Sequence, residues 1–130
     1  MRVIDLGDDR DAAKERFALY YSAAFGGKGA DGPADTRKLA KVQDALEAVS
    51  HDEPVEGGGV KDSRRVLNED VTEIRMDDAY CEFLKGRIFG AGITWAPAVA
   101  RKVMAGFDEL ENAREEKPGA PTLVKDAAGD

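Results

Sequence analysis

The clearest apolar rhythm in the chain is Leu39, Val42, Leu46 and Val49, at spacings of three, four and three residues. That spacing puts all four on one side of an α-helix and predicts a helix over 36–50. The stripe spans two heptads, which suits packing against another helix, either in a core or as a self-association seam. A second helical pattern runs from Asp8 or Asp9 to about Ala24, with Phe17, Tyr20, Tyr21 and Ala24 on one face. Asp8 or Asp9 suits its N-cap, because a carboxylate there accepts from free amides at the positive helix end. A third helix is expected over 78–89, capped by Asp77 or Asp78, with Tyr80, Cys81, Leu84 and Ile88 forming its stripe. A fourth, over 97–113, opens with Pro97 in the first turn and carries Val99, Val103, Phe107 and Leu110 inside.

The period changes to two at Thr72, Ile74 and Met76, with Glu73 and Arg75 on the opposite face. This predicts a β-hairpin: Arg65-Val66-Leu67, a turn at Asn68-Glu69-Asp70, and Val71 to Met76. Residues 2–6 read as a further short strand, able to join the pair, since an isolated hairpin is only marginally stable. Glycine and proline break the pattern over 26–35, and Gly57-Gly58-Gly59 breaks it over 51–63; both stretches read as flexible connectors. From Arg114 the periodicity ends, and 108–130 holds seven acids against three bases. The expected organisation is one domain over 1–113 with an acidic, flexible tail over 114–130. Its fold class is α+β and mostly helical, with about four amphipathic helices and a small two- or three-stranded antiparallel sheet.

Composition narrows the function classes. A chain of 130 residues fits one ordinary core. The formal charge of −7 opposes a grip on nucleic acid or on an anionic membrane, both of which need clustered Lys and Arg. No stretch reaches the ~20 apolar residues of a membrane span, and no signal-peptide run opens the sequence. With the lone Cys81, this gives the expectation of a cytoplasmic protein without disulfides. No cofactor or metal is expected.

Each chemistry-bearing feature has a structural reading that fits better. Gly26-Gly27-Lys28-Gly29 lacks the Ser or Thr after lysine and the preceding strand that a phosphate loop needs. Asp5, Asp8, Asp9 and Asp11 miss the glycine and glutamate of a calcium loop, where Arg10 and Arg16 stand instead. His51, the single histidine, has no nucleophile placed beside it by sequence. Cys81 lies on a core stripe among Asp77, Asp78 and Glu82, which disfavour a thiolate. Trp95 closes the small core or serves as a contact residue, tryptophan being enriched at binding hot spots.

The stretch from Val71 to Ala113 resembles small proteins of tailed bacteriophages and prophages. The residues behind the likeness are Ile74, Asp77, Asp78, Tyr80, Phe83-Leu84-Lys85, Trp95, Pro97, Val103, Phe107-Asp108 and Leu110. The resemblance covers about a third of the chain. It implies a context, virion assembly or a phage accessory role in host cytoplasm or virion, and no activity. The sequence thus predicts a non-enzymatic protein-interaction protein that binds a protein partner or forms a homo-oligomer. Leu39, Val42, Leu46, Val49 and Trp95 are its expected contact residues. The alternative is an acidic regulator or inhibitor of a nucleic-acid-handling host protein.

Overall fold

The computed structural model describes residues 1–54 and 63–115, with Arg114 as backbone alone. The chain runs β1 (Arg2–Asp5), α1 (Arg10–Phe25), α2 (Gly32–Ala48), β2 (Ser50–Pro54), β3 (Ser63–Leu67), β4 (Glu73–Met76), α3 (Asp78–Gly90), α4 (Ala100–Glu111) and β5 (Arg114–Glu115), with a 3-10 turn at Pro97–Val99 leading into α4. The fold is α+β and mostly helical, as the periodicities predict.

Local sequence explains the helix starts. Asp9 Oδ1 accepts from the amides of Asp11 and Ala12 and so caps α1. Pro33 stands in the first turn of α2, which begins at Gly32, four residues before the expected start at 36. Asp77 is the N-cap residue of α3, but its side chain makes no capping bond. Its carbonyl accepts from Tyr80 and Cys81 instead. The Asp78 carboxylate turns back to β1, 3.1 Å from Arg2 Nε.

The strands pair differently from the expected hairpin. β4 pairs antiparallel with β1, Ile74 opposite Ile4, so the N-terminal strand does join this element. β3 pairs with β2, Val66 opposite His51. The expected β3–β4 ladder is absent because each strand takes another partner, and the Arg10 guanidinium reaches the carbonyls of the segment that joins them. Nη1 donates to Val71 O at 2.7 Å and Nη2 to Asn68 O at 2.9 Å. The expected connector is therefore strand over 51–54, while its glycine run lies outside the described residues. The expected tail also begins as structure: β5 pairs with the free edge of β1, giving the order β4-β1-β5. Residues 116–130 lie outside the described residues.

One core joins these layers. Ile4 and Ile74 from the sheet, Phe17 and Tyr20 from α1, Leu46 from α2, Leu67 from β3, Leu84 and Ile88 from α3, and Leu110 from α4 are all buried. Burying a side chain of this size contributes about 1.5–3 kcal/mol. Gly106 lets α4 approach α1 closely, since a Cβ there would overlap Leu19 Cδ2. The Tyr20 hydroxyl donates across this crossing to Gly106 O at 2.8 Å. Burial pushes the Tyr20 phenol up, so it stays a donor at any ordinary pH.

Candidate functional site

Three large apolar side chains stand in solvent among the described residues: Phe25, Phe89 and Met104, at 42%, 54% and 46% exposure. Phe25 is partly covered, because its ring stacks on Tyr21 at 4.3 Å between centroids. Phe89 and Met104 belong to one surface. Phe89 comes off the last turn of α3 and packs on Phe107 of α4 at 5.2 Å. Met104 precedes Phe107 by three residues, one turn along the same side of α4. The α3–α4 shoulder thus carries two aromatics in contact and, one turn away on α4, a methionine. Exposed Arg101, Asp108 and Glu111 border them along α4.

The expected contact residues are placed elsewhere. Val42 and Leu46 are fully buried in the core. Val49 packs half-buried against the same cluster, and Leu39 is half-buried near the exposed first turns of α2. The middle of this stripe can meet a partner only if the fold opens. Trp95 is half-buried, and its Nε1 donates to Ile88 O at 2.8 Å. It thereby satisfies one of the carbonyls that the end of α3 leaves without a helical partner. Its ring also lines a shallow apolar cleft of about 230 Å³ with Leu19, Val99 and Val103, on the α1 side of α4.

The remaining chemistry-bearing residues are committed to structure. Burial pushes the Cys81 thiol up to about 11, which keeps it protonated and unreactive. The Ser50 hydroxyl donates to Leu46 O at 2.7 Å and accepts from Arg65 Nε at 2.8 Å. Gly27 takes a φ of +71° and meets the Ala91 backbone, while the Lys28 amide donates to Ala91 O at 2.7 Å. Lys28 then borders a cavity of about 450 Å³ together with Asp31, Asp35, Glu82 and Arg87. Three carboxylates against two bases make that wall a poor host for phosphate. Among the described residues, no three His, Cys, Asp or Glu side chains are grouped to hold a metal ion.

His51 holds β2 to the turn after β3. Its Nδ1 lies 2.6 Å from Asn68 Oδ1 and its Nε2 lies 2.9 Å from Glu53 Oε2. Both ring nitrogens face acceptors, so the doubly protonated ring fits best. The bond to Asn68, then that to Glu53, raises its pKa. The charged ring therefore stabilises the fold fully below the unfolded value of about 6.5, and this contribution fades as pH rises through the higher folded value. A two-dimensional NMR titration should place the His51 midpoint above about 6.5. A midpoint at or below that value would contradict the paired geometry.

Sequence reading missed Phe89 and Met104 as surface residues. A signal was present: Phe89 follows Ile88 and Met104 follows Val103, so each is an apolar residue one step off its helix's buried stripe. No family model matches the chain, and comparison with curated proteins and with solved structures finds no match either. Among the described residues, no helix is long and apolar enough to cross a membrane.

Proposed function

We propose that this chain is a non-enzymatic protein-interaction protein and that Phe89, Met104 and Phe107 form its contact face. The observation that carries this reading is the exposed apolar group on the α3–α4 shoulder, where Phe89 and Met104 are about half in water beside Phe107. An apolar centre with a charged rim is the layout of protein contact surfaces. The single cysteine, the single histidine and Ser50 are engaged in packing and hydrogen bonding, which supports a binding role over catalysis. The face lies within the stretch that resembles phage proteins, so a virion-assembly or accessory role is the setting we propose for it.

The alternative, an acidic decoy for a basic groove, would need carboxylates gathered on one surface. Here Glu15, Glu109, Glu69 and Asp52 are each engaged in an ion pair, with Lys102, Arg16, Lys14 and Arg65, and so are less available to a basic groove. We therefore favour the apolar face.

A photo-crosslinking phenylalanine analogue at position 89 tests the reading in the cells that produce the protein. Adducts to protein are expected there, well above those from the same analogue at exposed Asp70 on the turn after β3. Equal or fewer adducts at position 89 would contradict it.

A further inference from the structure

We propose that the occupant of this face is a second copy of the chain, joined through α4 of each protomer in antiparallel, isologous fashion. The proposal rests on the reading of the α3–α4 shoulder as a protein contact, and it names the partner.

Arg101, Met104 and Asp108 are all exposed on α4. Arg101 and Asp108 are seven residues apart, two turns along one side of the helix, and Met104 lies almost midway. When a second α4 is laid antiparallel with the two-fold axis beside Met104, Arg101 of each copy meets Asp108 of the other. A parallel arrangement would set like charge on like. The two-fold symmetry makes the match occur twice, as a self-complementary interface requires. Exposed Ala100 and Ala105, next to these residues, let the two backbones come close.

A second observation points the same way. Lys102 and Glu109, one residue on from this pair, have ion-pair partners within the chain, Glu15 and Arg16. Arg101 and Asp108 have none among the described residues. Both also oppose the helix dipole, with a base at the positive end of α4 and an acid near its negative end. Within one chain this layout only weakens the helix. Against an antiparallel copy, the same layout is attractive.

The association is expected to be weak. A helix of 12 residues is about 18 Å long, and a pair of that length buries less than the ~800 Å² per partner of a standard interface. A dissociation constant on the order of 10–100 µM is expected.

Sedimentation equilibrium of the full chain from about 10 µM to about 1 mM tests this, with circular dichroism confirming the fold of each variant. Wild type should pass from monomer to dimer over the range. Arg101→Asp and Asp108→Arg should each weaken the dimer by roughly tenfold or more, because each apposes like charges twice. The double variant with both charges exchanged should return to within a few-fold of wild type. A wild type that stays monomeric to the top concentration overturns the proposal. So do single variants that dimerise like wild type, or a double variant that stays as weak as the singles. A monomeric wild type whose position 89 still crosslinks to a different protein removes the second copy and keeps the contact face. A dimer without adducts at position 89 removes the contact face and, with it, this proposal.

Discussion

Replacing Arg87 by alanine is expected to cost about 3 kcal/mol of folding free energy and to lower the melting temperature by on the order of 10 °C. Arg87 is 7% exposed, yet among the described residues no carboxylate pairs with its guanidinium. Nε donates to Ala23 O at 2.7 Å and Nη2 to Gly26 O at 2.8 Å. Those carbonyls belong to the end of α1, where the helix leaves its last acceptors unpaired and its dipole is negative. The last turn of α1 has no base of its own, so α3 supplies one. Burial lowers the Arg87 pKa, but a guanidinium remains charged at any ordinary pH. Alanine would leave two carbonyls without a donor, at about 1–3 kcal/mol each, partly offset by water entering the gap. Lysine should recover less than half of the loss, because a point charge cannot fork between two acceptors. Urea unfolding followed by circular dichroism measures both. A loss under about 1 kcal/mol for alanine would show that the grip is dispensable.

Much of the framework was legible because it rests on local periodicity. Four helices follow from their apolar stripes, and Asp9 caps α1 as a carboxylate at that position should. β1 takes the place beside β4 that its apolar residues allow. What failed depends on contacts distant in sequence. Ser50-His51-Asp52-Glu53-Pro54 shows no apolar alternation, so β2 reads as a loop until β3 is beside it. Val66 and Leu67 look like the first half of a hairpin with the strand that follows, yet they pair with His51 and Ser50, which no local signal marks as strand. Arg87 follows Leu84 by three residues and reads as an ordinary polar position, since nothing local announces the end of α1 above it. At the candidate site, the strongest periodic signal belonged to the core, and the exposed residues were those just off the stripes. A stripe reports burial; in this chain the exposed Phe89 and Met104 each stand one step beside it.

That distinction sets the second large effect. Leu46 is wholly buried among the core residues, so Leu46→Ala should cost about 2–5 kcal/mol, the transfer loss plus the cavity left behind. This is a large part of the 5–15 kcal/mol by which such domains are stable. Leu39→Ala, half-buried near the start of the helix, should cost less than about 1 kcal/mol. Met104 is 46% exposed, and Met104→Ser should cost less than about 1 kcal/mol as well, mainly through helix propensity.

The α2 stripe builds the fold, whereas Met104 on the α3–α4 shoulder, where we propose the contact face, adds little to it. Equilibrium urea unfolding of Leu46→Ala beside Met104→Ser, each at a concentration where wild type is monomeric, tests it most directly. The account predicts a loss of at least about 2 kcal/mol for Leu46→Ala and under about 1 kcal/mol for Met104→Ser. Near-native stability for Leu46→Ala, or an equal loss for Met104→Ser, would contradict it.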